Sequence, residues 1–566
     1  MKKRQFVGAI LTILFLMYLG LGIITFQQGR ALHNSAQKIS NNRTLMGTAA
    51  FTDYYKEFAY ALHEFSSSVG NPLLAPVFFL LGSPGTFTHS RTIATSADQI
   101  AQDLLGAVES AQPRSSGQPG INLDLLAQSA PSLTNSQQEI YSLLHNLQNL
   151  HLHGILLPFD SRLDSIRKSA HSALIVSKKL LPLLPAAHSL LGSDSPRTYF
   201  VAFQNPAEAR GTGGIIGAYA LLNINKGHIT VARVGSNAEL VSQETLPIDM
   251  PEDFLSLYGV DPAIWQNSNM SPHFPNAAKI WLALWEIQSG EKLDGVITLD
   301  PFVLKQYLQV SGPLTVGNQV ITSKNLISET LSREYIRYAN DNNARKLFLV
   351  TLLKTTLERL TSQPLPPSDF LALVEKPLRE SRIYLYSAHP TEQSAIHQST
   401  ISGSMDSSRD NTYRLVINNL AGNKMEYYLA RKISVKSIQC GKKPITQVDY
   451  ILENTVSATA KLPPYVNGRL DLLKNNGYGN STKIEAFLYG PVGSKITGAL
   501  NMTTRKAVSL KASENKHPVL ISILELKPKA SIHIRAQFTG GVGPLAHITQ
   551  PLVRPAVLSI TDKCAR

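Results

Sequence analysis

Sulfur, clustered charge and catalytic signatures are all scarce in this chain. Only two cysteines, Cys440 and Cys564, occur among 566 residues. Two cysteines alone make no convincing zinc site. Two readings stay open for them: free thiols, or a bridge in a compartment that permits disulfides. Such a bridge would tie the C-terminal residues back to the start of the last domain. Beyond Lys2-Lys3-Arg4 there is no run of Lys or Arg, and no nucleic-acid-binding motif, so nothing points to nucleic acid as a partner. A nucleophile–base set, a zinc motif and a Walker loop are all missing, as is any internal repeat.

What remains is size, basicity and one long apolar run. Hydrophobic residues make up 43% of the chain, enough for two or three domains of ordinary size. Lys and Arg total 54 against 40 acids, a formal charge of +14. A surplus of this kind favours anionic surfaces or polymers. Phe6 to Phe26 contains no charged residue and follows the basic start. At about 1.5 Å per residue it forms a helix long enough for one bilayer core. Basic residues stay cytoplasmic, so residues 1–30 read as a cytoplasmic tip and single-pass anchor with the rest of the chain extracytoplasmic. A cleaved signal peptide is the rival. Gln27-Gln28-Gly29-Arg30 offers no A-x-A-like site for it.

Downstream, the expected organisation is α/β plus all-β. Residues 31–192 read as a helical stalk. Its clearest helix is Asp160 to Leu181, with Leu163, Ile166, Ala170, Ala173 and Leu174 on one stripe. Residues 193–380 mix strands and helices, as in a central mixed α/β domain. Residues 381–566 carry short alternating strands at the spacing of a β-sandwich.

The segment Pro196 to Gly235 holds the most suggestive chemistry. Tyr199–Phe203 and Ile215–Leu222 read as buried strands. The loop expected between them contains Asn205, Glu208, Arg210, Gly211, Thr212, Gly213 and Gly214. Glycines let backbone N–H groups turn toward a ligand, and Arg forks onto an anion. Asn205, Gly211, Thr212, Gly213 and Gly214 are therefore the candidate ligand-binding residues. The alternative is a strand connection whose Glu208 and Arg210 pair with each other. Asp300 before Pro301 has two readings as well: a helix N-cap or a metal ligand.

Four stretches carry a family resemblance. They are Tyr199–Gly214; Ser271-Pro-His-Phe-Pro275; Leu293–Pro301 with Ser311-Gly-Pro-Leu-Thr315; and Asn419–Tyr428 with Leu462-Pro-Pro-Tyr-Val466. In this order they resemble a bacterial family catalogued as domain of unknown function 4012. That family's pattern usually has an acid where His273 stands, and a shorter acid where Glu426 keeps the charge. The resemblance implies a membrane-anchored, extracytoplasmic protein and supplies no reaction. The segment Asp294–Val316 also resembles a core segment of the LytR–CpsA–Psr enzymes. Those enzymes transfer glycopolymers from a polyprenyl-pyrophosphate carrier to peptidoglycan. Their Ser-Ile-Pro-Arg-Asp signature and R-x-R spacing are not found here. This second resemblance implies Arg210, Arg337 and Arg345 on a pyrophosphate, with Glu208, Asp294 or Asp300 holding Mg²⁺ or acting as base. Two functions follow. One is a non-catalytic envelope module that binds anionic wall polymer, a lipid-linked glycan or a surface partner. The other is a phosphotransferase through those residues.

Overall fold

The computed structural model describes residues 21–564, apart from 22–23, 40, 43–48, 76–84, 111–122, 151–159, 364, 366, 406–411, 442–443, 473–478, 541–544, 547–549 and 563. Most of the expected anchor, Phe6 to Phe26, therefore lies outside the described residues. Among the described residues no helix is long and apolar enough to cross a membrane.

The chain divides into two compact units. One comprises residues 1–196 with 225–228 and 362–375; the other holds the remainder. The first is helical. Helices α1 (Ala49–Val69), α2 (Thr86–Ser110), α3 (Leu123–Asn149) and α4 (Asp160–Leu180) pack in sequence order. Small side chains, among them Ala59, Ala94, Ala101, Ser66, Ser96, Ser129 and Ser136, are buried beside larger ones such as Phe51, Leu62 and Leu147. Ala170 and Leu174 of the expected α4 stripe are buried too, whereas Ile166 is exposed.

The second unit is built on a five-stranded mixed sheet of order β3-β2-β1-β4-β7. Its strands are β1 (Arg197–Arg210), β2 (Gly213–Asn225), β3 (His228–Ser236), β4 (Gly295–Leu299) and β7 (Leu385–Ser387). A small hairpin, β5 (Leu314–Val316) and β6 (Gln319–Ile321), stands apart from it. Strand β1 runs antiparallel to β2 and parallel to β4. Almost all of its residues are buried, and Tyr199–Phe203 within it is a continuous apolar run. Helix α5 (Phe274–Ser289) contributes Trp281 and Trp285 to a core shared with Phe200, Tyr219 and Trp265. Helix α6 (Pro301–Ser311) starts on Asp300, whose carboxylate accepts from the N–H groups of Phe302 at 2.9 Å and Val303 at 3.1 Å. Helix α7 (Asn342–Ser362) follows a short helical run that passes through a π segment at Glu329–Arg333.

Two further sheets complete this unit. One has order β13-β12-β16-β10-β9-β18 and the other β14-β15-β11-β8-β17. Their strands are β8 (Thr412–Asn419), β9 (Leu429–Gln439), β10 (Ile445–Asn454), β11 (Thr482–Tyr489), β12 (Lys495–Asn501) and β13 (Lys506–Ala507). Then come β14 (Lys511–Glu514), β15 (His517–Leu526), β16 (Ser531–Thr539), β17 (Leu545–Ala546) and β18 (Val557–Thr561). The two sheets enclose one apolar core that includes Leu415, Val435, Tyr450, Leu488 and Phe538. Residues 376–566 belong to the same compact unit as the central sheet. Val416, Phe487, Tyr489 and Val519 enter the aromatic core of that sheet. Cys440 and Cys564 form a disulfide across 124 residues of sequence.

Candidate functional site

The stretch expected as a loop after Phe203 is strand instead. Strand β1 continues to Arg210, and only Gly211 and Thr212 turn the chain into β2. The physical reason is a bulge. Asn205 pairs with Ile215 and Ala209 with Gly214, leaving Pro206, Ala207 and Glu208 unmatched between them. Proline has no N–H for a ladder, so the strand bows out at Pro206 and resumes later. The bulge aims the Glu208 carboxylate out of the ladder, at Arg210 (3.2 Å) and at the Lys424 ammonium.

The expected ligand-binding residues of this stretch are absorbed by packing. A Cβ on Gly211 would lie 2.2 Å from the Met270 carbonyl oxygen, and one on Gly214 would lie 2.0 Å from that of Asn205. Those glycines are required by close backbone approach, not by a phosphate. Thr212 Oγ accepts from Gln204 and Asn269, and the Gly214 N–H donates to Gln204. Gly213, the other glycine of the turn, would bring a Cβ within 2.5 Å of the Gln204 side chain. Asn205 donates to the Tyr335 hydroxyl at 2.7 Å and accepts from Ala207 N–H. Arg210 is likewise committed. Its guanidinium donates to the carbonyls of Gln266, Ala209 and Asn419, to Asn267 Oδ1 and to Glu208. That matches the five N–H donors a guanidinium carries, so none is left for an incoming anion.

The expected transfer set does not converge. Asp294 sits at the other end of β1, where it accepts from Thr198 N–H at 2.7 Å and pairs with His389 at 2.7 Å. Ten residues of strand separate Thr198 from Glu208, roughly 30 Å at about 3.3 Å each. Arg337 is bonded to Glu329 at 2.7 Å and to Gln319 at 2.6 Å. Asp300 is buried, caps α6 and pairs with Arg382 at 2.5 Å. Among the described residues no group of three or more His, Cys, Asp or Glu could hold a metal ion.

Glu208 lines a cleft, and Arg345 packs against one of its walls, Tyr465. The cleft, of about 340 Å³, is lined by Glu208, Lys424, Gln266, Asn237, Lys346 and Tyr465, among others. Tyr465 is 42% exposed. The Lys424 ammonium lies 5.1 Å from its ring centroid and the Arg345 guanidinium 4.7 Å. Arg345 also lies over Tyr335, which stacks on Tyr465 at 5.5 Å. These cations against ring faces fix Tyr465 as a rigid wall.

Below the cleft lies a buried polar network. Burial alone would raise Glu208, but Lys424 and Arg210 overrule it and hold the carboxyl below its ordinary range. Glu426 accepts from Asn419 at 2.6 Å, Thr482 at 3.1 Å and Ala209 N–H at 3.3 Å. Burial pushes it up to about 7, and the nearby Glu208 charge adds to the shift. Glu334 is wholly buried, 3.8 Å from Arg345, and neither carboxyl oxygen has a hydrogen-bond partner. Burial keeps it well above the usual carboxylate range. His273 is half-buried at the start of α5 and accepts from Met405 N–H; desolvation pushes it down to about 3.

Sequence reasoning missed Lys424, Lys346, Gln266, Tyr465 and Glu334 as site residues. Lys424 and Tyr465 do lie inside two of the stretches quoted above for resemblance. The cleft is thus assembled from segments more than two hundred residues apart. Residues 194–335 match the model of a family described as a protein of unknown function, DUF4012. The matched segment is about a quarter of the chain. It contains β1, its bulge, Glu208 and Glu334, while Arg345, Lys424 and Tyr465 lie beyond it. No curated protein and no solved structure matches the chain.

Proposed function

We propose that this chain is an anchored, extracytoplasmic protein of a bacterial cell envelope, and that the cleft at Tyr465 binds an anionic glycan of the wall. Three observations support the reading. The basic start and the uncharged run Phe6 to Phe26 suit a single-pass anchor with the bulk of the chain outside. The Cys440–Cys564 disulfide suits an oxidising compartment. The third carries the proposal. An exposed aromatic ring shares a cleft with amide, carboxylate and ammonium groups, and the cations there outnumber the charged acids. Sugar rings stack their C–H faces on such a ring and bond their hydroxyls to such groups, while Lys346 attracts phosphate or carboxylate substituents. Transfer chemistry through Arg210, Asp294 and Arg337 is not part of the proposal, because the first is saturated and the other two lie elsewhere.

The test titrates the full-length chain in detergent with a purified anionic wall polymer and with a neutral glucan. The polymer is expected to bind, more weakly as salt rises, and the glucan poorly. Tyr465→Ala is expected to weaken polymer binding about tenfold, some 1.4 kcal/mol. Equal affinity for both polysaccharides, or an unaffected Tyr465→Ala variant, would refute the cleft assignment. Protease shaving of intact cells tests the location separately: an uncleaved chain rejects it.

A further inference from the structure

Sheet edges expose unpaired backbone groups, and proteins ordinarily blunt them with charge, shortness or cover. Most described edges here follow that rule. Strand β3 carries His228 and Arg233, β13 carries Lys506, and β14 carries Lys511 and Glu514. Strand β7 is largely buried, and β17 is two residues long. Strand β18 is the exception. Val557-Leu-Ser-Ile-Thr561 has no charge, no proline and no bulge, and all five residues are exposed. Val557 is 62% exposed and Ile560 46%. On its inner side β18 pairs in parallel with β9 from Val557↔Lys432 to Thr561↔Lys436. Its outer row of N–H and C=O groups bonds nothing among the described residues. The Cys440–Cys564 disulfide holds this edge in place, since it joins the residue after β9 to one three positions past β18.

We propose that β18 is a homodimer interface, in which two copies of this chain pair their β18 strands antiparallel about Ser559. The sequence is self-complementary in that register. Leu558 falls opposite Ile560, Val557 opposite Thr561, and Ser559 opposite its own copy. Leu558 and Ile560 lie on the face that β9 fills with Ile433 and Val435, so the new cross-strand pairs extend an existing apolar stripe. β-branched and apolar pairs of this kind stabilise a ladder, and no like charges are brought together. The contact is isologous and closes after two copies. It is independent of the cleft reading.

The experiment measures the mass of the full-length chain in detergent by sedimentation at 0.15 M salt, where long-range repulsion between basic copies is screened. A dimer is expected for the wild type and a monomer for Ser559→Lys, which sets two ammonium groups against each other. Ser559 is exposed, so neither this variant nor Ser559→Cys disturbs packing. The chain has no free cysteine, so Ser559→Cys supplies the one reactive thiol. It is expected to cross-link two copies on mild oxidation, while Ser513→Cys on the charged edge β14 is not. A monomeric wild type overturns the proposal. So does a dimer that survives Ser559→Lys, or one in which Ser559→Cys fails to cross-link.

Discussion

The two ends of β1 look alike on paper and differ in what they do. Each sets a buried arginine against a buried carboxylate. At the start, Arg197 pairs with Glu392 at 2.9 Å, while Asp294 bridges Thr198 and His389. At the far end, Arg210 and Lys424 share Glu208. The first cluster ends on a partly exposed histidine. The second opens into a cleft with a rigid tyrosine and further cations. An ion pair deep in a fold is weak evidence of function by itself. What distinguishes the far end is that its charges border a space a ligand can enter.

Four perturbations break or sharpen this contrast. The largest effect is expected from Arg197→Met. It leaves Glu392 buried without its guanidinium, at a cost of about 3–5 kcal/mol in urea unfolding, with polymer affinity per folded molecule unchanged. A loss of affinity would make the two ends one site. Next is the pH response of Glu426. Its folded pKa of about 7 lies above the ordinary 4.5. The stability it contributes as a neutral group is therefore fully present below about pH 4.5 and lost as pH rises to about 7. Against Glu426→Gln, the wild type should lose about 3 kcal/mol between those limits. Parallel stability curves for the two would contradict the burial argument. Lys424→Met should cost about 2 kcal/mol, less than Arg197→Met because Arg210 still faces Glu208. Unlike Arg197→Met it should also weaken polymer binding. Glu334→Gln should be smallest, under about 1 kcal/mol, because burial raises the carboxyl well above its usual range and neither oxygen is hydrogen-bonded. A large loss there would mean that its charge matters to Arg345.

Local patterns in the sequence predict the pieces of this fold better than their assembly. Tyr199–Phe203 and Ile215–Leu222 announce buried strands through unbroken apolar runs, and they form β1 and β2. Asp300-Pro301 announces a cap and a helix start, both of which the structure contains. The bulge at Pro206–Glu208 was not legible. A proline followed by small residues and three glycines reads as a loop until the partner strand is known. Lys424 was invisible for a different reason. Lysine is ordinarily exposed, and nothing local indicates that residues 419–428 fold over the end of β1. Tyr465 looks like any other tyrosine until Tyr335 and Arg345 arrive from more than a hundred residues earlier in the chain.

The central claim is that the glycan meets the Tyr465 end of β1 and not the His389 end. Hydroxyl-radical footprinting of the full-length chain, with and without the anionic polymer, reads both ends in one experiment. The account predicts that oxidation of Tyr465 falls on adding polymer while oxidation of the partly exposed His389 stays constant. Protection of His389 with Tyr465 unchanged would contradict it.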